Sequence, residues 1–293
     1  MTHSPENTAP KLVDTDWLAA HLADPTVVVA EVNEKPDLYD EGHVPGAVKL
    51  HWRDDLQAAL SRDIVDQAGF EQLMGRLGID PDTTVVLYGD RDNWFAAFAY
   101  WYLKNYGHAD VRIVDGGRAK WIAEGRELTT ELPQTTAKTY VAQPVNGAIR
   151  AFAGEVLAGL DDTNRRLVDV RSPAEFSGEL LAPAEYANEG AQRAGHIPGA
   201  ISIPWSSTVN ADSTFKSTEE LLELYGSKGV TPDRDVIAYC RIGERSAHTW
   251  FVLHELLGFP EVRNYDGSWS EWGSMVGTPV EVSTDNVASS AVC

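Results

Sequence analysis

The stretch Tyr239-Cys240-Arg241-Ile242-Gly243-Glu244-Arg245-Ser246 holds the one interior cysteine of a 293-residue chain. An apolar run over 235–239 delivers Cys240 to a loop containing a glycine and two arginines, and an apolar-periodic stretch follows. A strand, a tight turn and a helix start bring unpaired backbone N–H groups together, with a partial positive charge of about half an elementary charge at the helix start. A thiolate is stabilised there, so the Cys240 thiol is expected below the free-cysteine value of about 8.5. Any anionic adduct on the sulfur, a persulfide included, meets the same donors. Gly243 lets the backbone turn without a side chain in the cradle. Arg241 and Arg245 offer forked cations suited to oxyanions. Ser246 is expected to cap the helix and Gly258 to end it. The alternative is a small apolar residue at a strand end, with the arginines paired to Glu244 or nearby carboxylates. The position, the glycine and the flanking arginines favour a nucleophile.

The elements that must position this loop occur twice. "EGHVPGAVKL" (41–50) returns as "AGHIPGAISI" (194–203), and "GHADVRIVDGGRAKW" (107–121) as "GFPEVRNYDGSWSEW" (258–272). A period this long means two similar domains, not a solenoid. The Thr- and Pro-rich stretch after residue 127 reads as a linker, which divides the chain into 1–130, 131–148 and 149–293. Strands are expected near 26–32, 47–50, 84–88 and 111–114, then near 167–170, 200–203, 235–239 and 262–264. Helices are expected near 14–23, 68–77, 93–106 and 118–124, then near 151–160, 173–177, 217–226, 246–257 and 268–273. Continuous apolar strands separated by helices indicate an α/β fold, each domain a mainly parallel sheet covered by helices on both faces. Ligands of such sheets sit beyond the carboxyl ends of strands, where Cys240 stands.

"CRIGERS" after a strand, "GHIPGA" and "VDVRSPAEF" (168–176) before it, and "YDGSWSEW" after the helix together resemble the rhodanese family. The resemblance covers nearly the whole chain and its tandem arrangement. It implies two rhodanese-like domains of which the second is catalytic. It further implies a thiosulfate sulfurtransferase in which Cys240 forms a persulfide and Cys240 to Arg245 form the substrate loop, Ile242, Gly243 and Glu244 included. No metal or organic cofactor is implied, since covalent catalysis divides the transfer into two steps. The partners implied are a small anionic sulfur donor, thiosulfate, and a nucleophilic acceptor such as cyanide or a thiol; no protein partner is specified.

Two positions depart from the pattern of animal thiosulfate-type members. Ile242 stands where they carry lysine, and Glu175 where they carry a substrate-binding arginine. Anion recognition then falls to Arg241 and Arg245 first, and to Arg171 and Arg193 after them. The loop does not match the "CGSGVT" pattern of mercaptopyruvate-type members, which favours thiosulfate while leaving 3-mercaptopyruvate as an alternative donor. A non-catalytic sulfur carrier or redox sensor is a further alternative. Cysteine-based phosphatases place one residue more between Cys and Arg than the four, Arg241 to Glu244, present here, and phosphatase activity is not expected.

The first repeat has Gly89 opposite Cys240 and an acidic loop with Asp90 and Asp92, so no nucleophile stands there. Its expected role is packing against the second domain and roofing its pocket, with Trp94 and Phe95 as roof or core residues. His43 and His196 are the same "GH" histidine in the two repeats while the cysteine occurs in one, which points to a structural role for the histidines. The second repeat carries about fifteen extra residues near 178–193, either a harmless surface loop or a shaper of the pocket mouth.

A formal charge of −20 argues against nucleic acid and anionic membrane surfaces as partners. It also repels an anionic substrate at long range unless local arginines overcome it. No apolar stretch is long enough to span a bilayer, and the opening residues lack an apolar signal segment. The second cysteine, Cys293, is the last residue, so no disulfide framework is expected. These features point to the reducing cytoplasm.

Overall fold

The computed structural model describes residues 10–282, the side chains of 187–189 excepted. They form two compact units, one running up to Asn146 and including Val209–Phe215, the other comprising Gly147–Thr208 and the chain from Lys216 onward. The units are thus not linear in sequence. Val209–Phe215 is held in the first unit by the Phe215 N–H on the Asp115 carboxylate (2.8 Å) and by the Ser213 hydroxyl on Asp92 (2.6 Å).

In the first unit β1 (Leu12–Val13) leads to α1 (Thr15–His21), β2 (Val27–Glu31), α2 (Leu38–Glu41) and β3 (Val48–Lys49). There follow α3 (Gln67–Arg76), β4 (Thr84–Tyr88), α4 (Trp94–Asn105), β5 (Val111–Val114) and α5 (Gly117–Ala123). The five strands pair in parallel in the order β1-β5-β4-β2-β3. In the second unit the order of elements is α6 (Ala153–Ala158), β6 (Arg165–Asp169), α7 (Pro173–Ser177), β7 (Ile201–Ser202) and α8 (Thr218–Gly226). It continues through β8 (Asp235–Tyr239), α9 (Glu244–Trp250), β9 (Val262–Asn264) and α10 (Ser268–Trp272). Its strands are also parallel, in the order β7-β6-β8-β9. Both units are α/β with helices flanking a parallel sheet. No described helix is long and apolar enough to cross a membrane.

Strand β8 lies between β6 and β9, so the "DVIAY" run is covered on both edges and is buried after its first residue. That explains its uninterrupted apolar character. Its last residue, Tyr239, sits in the core with Leu167, Ile237, Trp269 and Trp272. The Tyr239 hydroxyl accepts the Ile197 N–H of the "GHIP" turn (3.1 Å), as the Tyr88 hydroxyl accepts the Val44 N–H of the "GHVP" turn (2.9 Å). The histidines of these turns act alike. Nδ1 of His43 pairs with the Tyr39 carbonyl (2.9 Å) and Nδ1 of His196 with the Phe176 carbonyl (2.8 Å), each ring stacked on the aromatic residue it bonds. One fixture thus anchors the turn in both repeats, with or without a cysteine nearby.

Candidate active site

The loop after β8 is held from behind by the segment after β9. The Cys240 N–H donates to the Ser268 hydroxyl (3.0 Å), and the Cys240 and Arg241 carbonyls accept the N–H groups of Trp269 and Ser270 (3.0 Å each). Ser268 has φ +53° and passes its own proton to the Tyr265 carbonyl (2.7 Å). Asn264 joins the loop to the helix: its Nδ2 donates to the Gly243 carbonyl (3.0 Å) and its Oδ1 accepts from Ser246 (2.6 Å). The "NYDGS" stretch is therefore the backing plate of the cysteine loop.

Helix α9 begins at Glu244 with Gly243 in the capping position at φ +100°, a left-handed conformation. Ser246 is not the cap, contrary to expectation. The glycine makes the turn three residues earlier, and the serine hydroxyl is taken by Asn264. The helix passes into a π-helical turn over Phe251–Leu256, and Gly258 (φ +68°) follows its end at Leu257. A Cβ at Gly243 would lie 2.6 Å from Asp266 Cα, on a backbone that side-chain-bearing residues rarely adopt. Gly243→Ala is therefore expected to destabilise the protein by about 1–3 kcal/mol and to disturb the loop, which thermal unfolding would register.

Cys240 is fully buried. Its Sγ accepts the Gly243 N–H (3.1 Å) and donates to Glu244 Oε2 (3.2 Å). The other oxygen of Glu244 faces both arginines, 3.3 Å from Arg241 Nη2 and 3.7 Å from Arg245 Nε. Arg245 also places Nη1 and Nη2 on the two oxygens of Glu175 (3.1 and 3.2 Å), while its buried Nε has no hydrogen-bond acceptor among the described residues. The Arg241 guanidinium carbon lies 4.0 Å from the centre of the Tyr186 ring. Tyr186 comes from the segment that the second repeat has and the first lacks.

Glu175 reaches Arg245 because it is the third residue of α7. In that position it closes a capping box, accepting the Ser172 N–H (3.1 Å) and hydroxyl (2.9 Å), which fixes its rotamer. Burial pushes its carboxyl up, but Arg245, the Ser172 N–H and Arg171 together outweigh this and the net direction is down.

The thiol moves the other way. Burial first, and the Glu244 carboxylate second, push Cys240 above its ordinary value; Arg245 and Ser246 offset this in part. The expectation of a depressed thiol pKa is corrected accordingly, because the sulfur is dry and a carboxylate touches it. Alkylation of Cys240 by iodoacetamide is thus expected to rise with pH through a midpoint above that of an exposed cysteine, read by peptide mass spectrometry. A midpoint below it would show that the amide cradle prevails.

The same contacts revise the expected local charge. Arg241 and Arg245 stand against Glu244 and Glu175, so the resting cluster is balanced rather than positive. Ile242 is buried beside them. The other two candidate arginines are engaged elsewhere. Arg171 bonds Asp169 (2.6 Å) and the Gly195 carbonyl (2.7 Å) over the Trp269 ring. Arg193 gathers the carbonyls of Trp272, Gly273, Met275 and Thr278. Both serve as braces of the fold.

The rhodanese-like domain matches residues 14–124 and again 152–275. The chain belongs to the rhodanese family. Among rhodanese relatives, a protein of Saccharopolyspora erythraea named "Putative thiosulfate sulfurtransferase" is 57% identical over 92% of this chain and 95% of its own. A protein of Thermus thermophilus named "Sulfur carrier protein TtuD" is 53% identical over 92% of this chain and 95% of its own. In structure, the anaerobic ergothioneine biosynthesis enzyme from Chlorobium limicola, in complex with trimethyl histidine, superposes with a TM-score of 0.82 at 25% identity. That match covers 93% of this rhodanese and 70% of the other chain.

Ser268, Asn264 and Tyr186 were not singled out from sequence. The repeat comparison carries a signal for one of them: Ser268 stands in the repeated "DG" segment where the first half has Gly117. No local pattern marks Tyr186.

Proposed function

We propose that this rhodanese is a thiosulfate sulfurtransferase that moves a sulfane sulfur through a persulfide on Cys240. The observation that carries the reading is the buried cluster in which the Cys240 sulfur meets an amide donor, Gly243 N–H, with two guanidiniums one carboxylate away. The names of relatives above half identity agree with the reaction class. The Cys240 thiolate attacks the outer sulfur of thiosulfate, the S–S bond breaks, and sulfite leaves with the electron pair. In this reading Arg245 Nε and the Arg241 guanidinium meet the charge of the sulfonate oxygens. An acceptor anion, cyanide or a thiolate, then takes the terminal sulfur and Cys240 is regenerated.

Catalysis is assigned to the second domain. In the first, Gly89 occupies the cysteine position, and its N–H is taken by the Asn93 side chain (2.9 Å), which also bonds the Val114 carbonyl (2.7 Å). There is no nucleophile and the amide is already occupied. A reducing compartment such as the cytoplasm suits a thiol that must be free at the start of each cycle.

Tyr186 is assigned to positioning Arg241 for the donor. A cation–π contact is worth about 0.5–2 kcal/mol, so Tyr186→Ala is expected to raise KM for thiosulfate by roughly two- to thirty-fold. Tyr186→Phe should retain most of the affinity. The donor itself is tested by comparing kcat/KM for thiosulfate and 3-mercaptopyruvate with cyanide as acceptor; preference for mercaptopyruvate would overturn the assignment.

The name of the Thermus relative supports a second reading, delivery of the persulfide sulfur to a protein acceptor. Full burial of Cys240 is consistent with shielding such a persulfide from bulk thiols. A persulfide that forms from thiosulfate but resists discharge by cyanide and small thiols would favour the carrier.

A further inference from the structure

We propose that Glu244 is a catalytic residue that takes the Cys240 proton when the thiolate forms, keeps it while the persulfide exists, and returns it on discharge. This rests on reading Cys240 as the nucleophile.

The division of labour within one carboxylate carries the inference. Oε1 of Glu244 is turned to Arg241 and Arg245, while Oε2 lies 3.2 Å from Sγ and accepts its proton. The guanidiniums therefore orient the group and leave one oxygen to the sulfur. Glu244 is fully buried, so bulk water does not compete for that position.

The charges facing the sulfur explain why a proton acceptor is needed. From the loop and α9 they are Arg241, Glu244 and Arg245, and from α7 Glu175. From behind Gly243 comes Asp266, itself paired with Arg150 (2.9 Å). Releasing the Cys240 proton to solvent would set three anions, Cys240, Glu244 and Glu175, against two guanidiniums in a buried site. Such an excess is costly in a low-dielectric interior. Passing the proton to Glu244 moves the negative charge from carboxylate to sulfur and preserves the balance.

Atoms and charge balance over the cycle. Cys–SH, Glu244 carboxylate and thiosulfate dianion become Cys–S–S⁻, Glu244 carboxylic acid and sulfite dianion, a total charge of minus three on each side. The S–S bond of thiosulfate breaks, a new one forms on Cys240, and the electron pair leaves with sulfite. A Glu244 carboxylate would repel the terminal persulfide anion, whereas the carboxylic acid donates a hydrogen bond to it. When cyanide takes the terminal sulfur as thiocyanate, the Cys240 thiolate left behind recovers the proton from Glu244.

Two readouts on the full chain test this. In Glu244→Gln the amide preserves shape but neither carries charge nor accepts a proton. Below the alkylation midpoint, persulfide formation from thiosulfate is expected to release about one proton more per Cys240 to solvent than in the parent, where the proton stays in the site. The midpoint of Cys240 alkylation by iodoacetamide is expected to move to lower pH, because a neighbouring anion has gone. Proton release on sulfur loading with an easier-to-ionise thiol is a combination that general loosening of the loop does not produce. Loading with no more proton release than the parent, or an unmoved alkylation midpoint, would overturn the role. Should Glu244→Gln not fold, Glu244→Asp, which draws the carboxylate back from the sulfur, is read by the same two criteria with the same outcomes required. Alkylation uses no sulfur donor. A parent chain that takes no sulfur from thiosulfate therefore defeats the proposed function, while an unmoved midpoint defeats Glu244 alone.

Discussion

Replacing Cys240 with serine is expected to reduce sulfur transfer from thiosulfate to background, a loss of about 10⁴-fold or more, with little change in thermal stability. The two effects separate because the serine hydroxyl occupies nearly the same volume. It accepts the Gly243 N–H and donates to Glu244, as the thiol does. The loop itself is held by backbone contacts to Ser268, Trp269 and Ser270 that do not involve the sulfur. Oxygen in that position can neither form a persulfide nor leave as readily as a thiolate. Turnover by the serine variant within an order of magnitude of the parent would place the nucleophile elsewhere. A collapse in stability would show that the cysteine serves packing first.

The second large effect concerns the pair that replaces the family's expected arginine. Glu175→Ala leaves the Arg245 guanidinium buried with only the more distant Glu244, and breaking a buried pair costs about 3–5 kcal/mol. The thermal midpoint is expected to fall by on the order of 10 °C. The double variant Glu175→Leu, Arg245→Met removes both charges and should recover most of that stability without recovering activity, since an apolar pair of similar volume packs where the ions stood. The pair also has a pH signature. The folded Glu175 carboxyl titrates below its ordinary range, so the unfolded chain takes up the proton first on acidification. Its contribution is therefore complete above the usual carboxylate range and is lost as pH falls through the folded value. Glu175→Gln should show a flatter loss of stability with acid than the parent; equal slopes would mean that the pair contributes nothing.

Much of the frame was legible in the sequence where local chemistry is unambiguous. Strands Thr84–Tyr88, Val111–Val114, Asp235–Tyr239 and Val262–Asn264 coincide with their expected ranges, the first three because they are rich in apolar or β-branched residues and the last because it repeats the segment at Val111. Helix Pro173–Ser177 also coincides with its expected range, and Ser172 and Glu175 close a capping box at its start. Leu12–Val13 and Leu38–Glu41 were missed because two or four residues carry no period to read. The start of α9 was placed two residues late because a serine cap and a glycine turn are both good signals, and only the backbone decides between them.

At the candidate site the cysteine, glycine and two arginines were visible because the chain contains a cysteine-free copy of the same loop. The partners that set their behaviour lie far away in sequence. Glu175 is seventy residues from Arg245 and Tyr186 lies in the extra segment, so neither contact follows from spacing. The direction of the Cys240 pKa was misjudged for the same reason. Glycine, arginines and a helix start all argue for a lowered value. Full burial and the turn of one Glu244 oxygen onto the sulfur are properties of the folded chain alone.

Sulfur leaving thiosulfate onto Cys240 underlies every step above, and it is read from the mass of the Cys240 peptide after incubation with thiosulfate. One added sulfur is expected on that peptide, with its removal as thiocyanate by cyanide, and the same result in Cys293→Ser. A peptide of unchanged mass, or sulfur found equally in Cys240→Ser, would contradict it.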